Sequence, residues 1–373
     1  MLRIEVVTSE AGFDSLREDW DNLLRKGGQC SPFLSHGWFR CCLTTLSRPL
    51  NLSILIVREE ARVVGIAPFR LYDGTVREIS ARMIGFLTCL DTPFVDFIVE
   101  EERREEVLAT ILHYLYSEYR DVWDVLVCNQ WAIDSANKKT CEGLLEKNKR
   151  NYLSERSSLI PYITIGESWE DFLLTRSVRF RKTYRNIINK VNKFPNVEIQ
   201  CFTRNDTETA LEEAIGVSKG SWKQGDGIAI SSSEKTKEFF SHLTRLATQK
   251  GWLLLWLMKI GGVPVAMEYD LLDAGKVYAL RADFAEAYRM YSPGAYLEYH
   301  IIKRLFEEGY KEYNTGPGAS AYKLKWTEDV RENVTVRVCN DNLKGHMIWG
   351  VEGKFIPFLK RIRDIKDQIG FER

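Results

Sequence analysis

The run Tyr322-Lys-Leu-Lys-Trp326 sets two lysines between a tyrosine and a tryptophan, shortly after the turn Gly316-Pro-Gly318. Glycine lets a backbone approach a ligand closely, so a cation here is placed to meet a carbonyl or phosphate oxygen. Lys323 is therefore the candidate for stabilising negative charge that develops during a reaction. Lys325 is its rival: in an extended segment the two share a face, whereas in a helix they diverge.

A second segment, Arg289-Met-Tyr-Ser-Pro-Gly-Ala295, reads as a turn opening a helix. Unpaired N–H groups at a helix start can bind a diphosphate, although Pro-Gly also begins helices that bind nothing. A third, Arg176 to Lys193, carries seven basic residues and no acid. The whole chain balances 52 basic against 52 acidic residues, so affinity for an anion must come from clustering of this kind. A basic helix at a domain surface that binds no ligand is the plainer reading.

Metal and redox chemistry find little support. Eight cysteines are scattered without a CxxC pair, and five histidines without HExxH spacing, so no metal site is expected. These thiols suit a reducing, cytoplasmic compartment. The opening residues lack the long apolar run of a secretory leader, and no stretch has the roughly 18 apolar residues of a membrane span.

The elements that must carry these residues fall into two halves, as the length of 373 residues suggests. In the first, a strand Leu2 to Val7 precedes an amphipathic helix ended at Gly27-Gly28. Strands Leu52 to Arg58 and Arg62 to Leu71 then form a hairpin, followed by a strand Phe94 to Val99, a helix Arg103 to Tyr119 and a strand Val122 to Val127. The second half repeats the plan: a strand Val197 to Phe202, helices Thr207 to Lys223 and Glu234 to Lys250, a meander punctuated by Gly261-Gly262 and Asp273-Ala274-Gly275, and a helix Ala295 to Glu308. Val63-Val-Gly-Ile-Ala-Pro68 and Gly262-Val-Pro-Val-Ala-Met267 are similar in text, which points to an internal duplication. Glutamates crowd the helix start at Val99 to Val107 in the first half, unfavourable for a diphosphate.

The segment from Tyr291-Ser-Pro-Gly294 through Tyr313-Asn-Thr-Gly-Pro-Gly318 to Tyr322-Lys-Leu-Lys-Trp326 resembles the second domain of double-GNAT acyltransferases. These are related to the Fem peptidoglycan aminoacyltransferases and to CelD-like polysaccharide-biosynthesis proteins. The resemblance implies a mixed α/β (α+β) fold of two tandem GNAT-like domains, each a mostly antiparallel mixed sheet flanked by helices. Residues 1–165 would form the first domain, with a degenerate donor site. Residues 166–345 would form the catalytic domain behind its basic helix, and 346–373 a C-terminal helix.

It further implies transfer of an acyl group from acyl-CoA, a cosubstrate rather than a bound cofactor, to a primary amine of a sugar or cell-envelope precursor, without a covalent enzyme intermediate. Arg289, Ser292, Gly294 and Ala295 would hold the donor, and Arg179, Lys182 and Arg185 the acceptor, with Trp222 and Asp96 at further matching positions. Tyr322 or Asp283 would move the amine proton and Lys323 would stabilise charge. Many relatives carry an aspartate where Asn314 stands, which removes the obvious general base. Two alternatives are Fem-type aminoacyl transfer from aminoacyl-tRNA to a peptidoglycan precursor, and a non-catalytic protein that binds a glycan carrier or nucleic acid.

Overall fold

The computed structural model describes residues 1–27, 31–46, 49–221, 223, 225 and 229–355. It contains two compact units. The first comprises 1–39, 47–157 and 332–373, and the second 40–46 and 158–331. Apart from the excursion of 40–46, the chain passes between them inside two strands, at 157/158 and 331/332, where the sequence reading set boundaries at 165/166 and 345/346.

The first unit opens with β1 (Leu2–Val7), α1 (Glu10–Ser15) and α2 (Arg17–Lys26), and α3 (His36–Thr45) follows. The strands β2 (Leu52–Glu59), β3 (Arg62–Val76) and β4 (Ile79–Phe86) form an antiparallel meander with β1 on its outer edge. Short β5 (Ile98–Val99) pairs with β3, and α4 (Arg104–Tyr116) leads to β6 (Val125–Ala132), which lies parallel to β4. Then come α5 (Ala136–Lys147) and the long strand β7 (Tyr152–Thr164).

In the second unit α6 (Trp169–Thr175) and α7 (Val178–Val191) precede β8 (Val197–Phe202), α8 (Thr207–Lys219) and α9 (Glu234–Lys250). An antiparallel meander of β9 (Leu253–Ile260), β10 (Val263–Asp273) and β11 (Lys276–Phe284) follows, then α10 (Pro293–Glu307) and β12 (Glu312–Asn314). Back in the first unit from residue 332, β13 (Val330–Cys339) pairs with β6, and α11 (Leu343–Trp349) leads into a π-helical turn over Gly350–Phe355. The C-terminal helix expected over 346–373 thus begins within α11; residues 356–373 lie outside the described residues, as does Cys30.

Local chemistry explains the second meander. Its two hairpins close on Gly261-Gly262 and Ala274-Gly275, all at positive φ between 48° and 83°; two such residues in a row make the turn that matches strand twist. Ser233 caps α9 by accepting from the Thr236 N–H at 3.1 Å, and Gly251 ends the helix at φ 71°. Pro293 occupies the first turn of α10, where its missing N–H costs nothing. The apolar face of α10 (Leu297, Ile301, Ile302, Leu305) packs with Phe180 and Tyr184 of α7 and with Trp326 in one buried cluster.

The two units share one feature of the sheet. Among the described residues each has a single parallel contact, only three residue pairs long: Met83–Gly85 with Val125–Val127, and Lys276–Tyr278 with Glu312–Asn314.

Candidate active site

Beyond Tyr278, β11 and β12 part company. The chain after β12 follows β7, with the Thr315 N–H donating to Pro161 and the Gly318 N–H to Leu159, at 3.0 and 2.8 Å. β11 runs on from Ala279 to Phe284 with β10 on one side and, among the described residues, no strand on the other. A bulge opposite Tyr269/Asp270 leaves Leu280 as an extra residue, increasing the local bend. Gly316, at φ 76°, passes so close to β11 that a Cβ there would lie 2.7 Å from the Ala279 carbonyl oxygen. Only glycine fits.

Behind this edge lies a buried polar group. β10 carries Glu268 and Asp270 on one face, 3% and 0% exposed. The Tyr313 hydroxyl of β12 donates to Glu268, and the Trp256 indole N–H donates to Asp270 at 3.1 Å. Burial raises both carboxyls; the Glu268 charge raises Asp270 further, while hydrogen bonds from Tyr313 and Asp270 pull Glu268 back down. Glu298 enters from α10; burial first, and then the Glu268 charge, pushes it up to about 8. Lys323 completes the group: burial lowers it to about 8 against the pull of Glu298. Carboxyl and ammonium groups tuned toward neutrality are what proton transfer near pH 7 requires.

Lys323 to Lys325 form a 3-10 turn, so the two lysines diverge: Lys323 is buried and Lys325 exposed. The Lys323 Nζ donates to the carbonyls of Gly316 and Pro317, both at 3.0 Å. It makes no ion pair among the described residues. Tyr322 is 54% exposed. Asp283, on the free part of β11, accepts from Ser218 at 2.7 Å and Ser221 at 3.2 Å, with the Lys223 Nζ at 3.3 Å. Both its oxygens are engaged, and Lys223 also donates to the Ala282 carbonyl.

The turn before α10 holds the expected donor-binding residues together. Ser292 stands at φ 55°, and the first-turn N–H groups of Gly294 and Ala295 have no partner among the described residues. Arg289 is exposed and paired with Glu286 at 2.8 Å. Gly294 has a packing reason of its own, because a Cβ there would meet the Phe284 ring at 3.3 Å.

On α7, Arg179, Lys182 and Arg185 all face solvent, while Phe180, Tyr184 and Val191 form the buried stripe. The helix is not uniformly a ligand surface. Arg181 donates to the carbonyls of Leu173, Leu174 and Arg176 at 2.9–3.3 Å, and Arg176 donates to the Trp326 carbonyl. These two arginines tie α6 and the Trp326 turn to α7.

Asp96 lies in the first unit. Its carboxylate accepts from Trp131 (2.9 Å), Ser135 (2.6 Å), Asn137 (3.0 Å) and the Phe97 N–H (2.7 Å); burial nevertheless raises it to about 6. The chain leaving β4 returns here onto β6, where the Val95 N–H donates to the Gln130 carbonyl. Phe86, Phe97 and Trp131 meet edge to face around the turn at 5.1–5.7 Å between ring centroids. Trp222 lies outside the described residues.

Residues 178–324 match the sequence profile of the acetyltransferase (GNAT) domain family. The second unit carries a GNAT acetyltransferase domain. The GNAT match covers the open strand edge, the turn before α10 and the buried polar group. No curated protein matches the chain in sequence.

Among solved structures, FemX is similar at 11% identity and a TM-score of 0.58 over 94% of this chain and 99% of that one. The C-terminal domain (DUF2156) of a putative lysylphosphatidylglycerol synthetase from Agrobacterium fabrum gives 10%, 0.55, 90% and 95%. L-PGS from Bacillus licheniformis gives 11%, 0.51, 90% and 94%. At these identities the likeness is one of fold, and it spans both units.

Sequence reasoning missed Glu268, Asp270 and Glu298. A signal existed: two acids stand in the otherwise apolar run Val263 to Leu272, and Glu298 falls on the Ile301/Leu305 face of α10.

Proposed function

We propose that the second unit transfers an acyl group from acyl-CoA to a primary amine on a phosphate-bearing sugar or cell-envelope precursor. The observation that carries this reading is that β11 from Leu280 to Phe284 pairs, among the described residues, with no strand on the side away from β10, where the Ala282 carbonyl accepts from the Lys223 side chain, and that this stretch runs toward the turn before α10. A pantetheine chain can hydrogen-bond along such an edge as an added strand does, while the Gly294 and Ala295 N–H groups meet the diphosphate.

Attack by the amine nitrogen forms the C–N bond and breaks the C–S bond, and the proton leaving the amine ends on the departing thiolate. Holding the two substrates in line supplies much of the acceleration. Glu298 is the group we assign to take the amine proton, because it titrates near neutrality beside the strand edge. Lys323 positions the Gly316-Pro317 loop against β11, and Asp283 positions Lys223. Arg179, Lys182 and Arg185 take the acceptor phosphate, and the compartment is the cytoplasm.

The test is thermal stabilisation by CoA, acyl-CoAs and aminoacyl-tRNA, since a ligand specific for the folded state raises Tm. CoA or a thioester should raise Tm, and Arg289→Glu with Ser292→Glu should abolish the rise. A Tm unmoved by every thioester and raised by charged tRNA would transfer the donor site to a second reading, Fem-type aminoacyl transfer, which the fold likeness to FemX favours.

A further inference from the structure

We infer that α7 and the Trp326 turn form a docking surface for an anionic lipid membrane. This rests on the reading of α7 as the helix that meets acceptor phosphate, and places that phosphate at a bilayer surface.

Two observations combine. The first is charge: Arg179, Lys182, Arg185 and Lys190 are exposed along α7 and Lys193 just beyond its end, and none makes an ion pair among the described residues. No acid lies between Asp171 and Glu198 to neutralise them. Most other surface arginines are paired, such as Arg62 with Glu59 and Glu100, or Arg103 with Glu106.

The second is apolar exposure at the same end of that helix. Leu174 is 69% exposed and Val178 73%, on either side of the α6–α7 junction that Arg181 braces. Leu324 (42%) and Tyr322 (54%) stand on the turn that delivers Trp326 to the Phe180 ring, 4.8 Å away. Arg176 joins the two segments by its bond to the Trp326 carbonyl. Val178, Lys182 and Arg185 follow helical spacing along one side.

A soluble partner rich in phosphate alone would leave these apolar side chains in water. An interface of lipid headgroups and acyl chains accommodates both sets, as amphipathic membrane-surface helices do. The Trp169, Phe172 and Phe306 rings packed beneath give the patch a rigid base. An acceptor amine carried on a lipid would then arrive with its phosphate already beside α7.

Vesicle co-sedimentation of the full chain tests this without any turnover, so it can fail while donor binding stands. Binding to phosphatidylcholine vesicles containing about one third phosphatidylglycerol, and not to pure phosphatidylcholine, is expected. Arg179→Glu with Lys182→Glu and Arg185→Glu should lower partitioning about 100-fold or more, from the usual contribution of each basic residue at an anionic surface. Leu174→Ser with Val178→Ser and Leu324→Ser leaves the charge intact and should also weaken it, by about tenfold. Circular dichroism confirms that each variant is folded. Absence of vesicle binding at low salt overturns the proposal. So does tight binding to RNA that the charge variant loses and the apolar variant keeps, which would make the surface a nucleic-acid site.

Discussion

The Tyr313 hydroxyl donates its hydrogen bond to Glu268 across the point where β11 and β12 diverge. Both side chains are almost wholly buried, so the bond ties β12 to β10, two strands that lie on either side of β11 and do not pair with each other. Tyr313→Phe removes the donor and leaves a buried carboxyl oxygen unsatisfied, which costs about 1–3 kcal/mol. Urea unfolding should show a lower midpoint, and Tyr313→Phe with Glu268→Leu should recover part of the loss. An unchanged midpoint in the single variant would show that the bond contributes nothing.

Glu298 gives the protein a pH signature. Its folded value of about 8 stands above the ordinary 4.5, so between these pH values the folded chain keeps a proton that the unfolded chain releases. Stability from this group is therefore whole below pH 4.5 and falls as pH rises to about 8. Lys323 has the opposite shift, from 10.5 to about 8, and its burden is relieved as pH climbs through that interval. Glu298→Gln should flatten the unfolding profile between pH 4.5 and 8, and a difference between wild type and variant independent of pH would refute the assignment.

The same residue should set the kinetic profile. As the base it must be ionised, so kcat should rise with pH through about 8 in the wild type. In Glu298→Gln that limb should vanish and kcat should fall about 100-fold or more. A variant that is slow yet keeps the limb would move the role elsewhere.

Lys323 and Lys325 should separate cleanly. Lys323→Met strips a donor from the buried Gly316 carbonyl and from the part-buried Pro317 carbonyl, and should lower stability by about 1–3 kcal/mol. It should also weaken donor binding, because Gly316 abuts β11. Exposed Lys325→Met should stay within about 0.5 kcal/mol of wild type. Equal Tm values for the two variants, with kcat lost only in Lys323→Met, would make this lysine a transition-state group instead of a loop anchor.

Asp96→Ala should destabilise the first unit by about 3 kcal/mol or more, since it abandons four donors at once. Acceptor KM should not change at temperatures where the variant is folded. A raised KM in a folded variant would return Asp96 to the substrate-binding set.

Much of this was legible in the amino-acid sequence because it is local. Hairpins at Gly261-Gly262 and Ala274-Gly275, the basic helix, and the Pro293 helix start are all written within a few residues of where they act. The expected strand Phe94 to Val99 contracts to Ile98–Val99 because Asp96 is drawn onto Trp131 and Asn137. The buried site was illegible for the opposite reason: Glu268, Glu298, Tyr313 and Lys323 come from four elements, and no spacing rule connects them. Likewise Val334, Val336 and Val338 alternate as a strand should, yet nothing nearby names β6 as their partner.

That last pairing has a consequence for how the molecule assembles. β6 receives β13 only after the entire second unit has been traversed, so the first unit cannot finish its sheet until residues 332–339 are available. Residues 158–331, by contrast, hold nearly all of their own contacts in one stretch and can close early. Until β13 arrives, β6 presents an unpaired edge, the kind of template on which chains aggregate. Non-local closure of this sort is slow. The first unit is therefore the piece most dependent on an intact downstream chain.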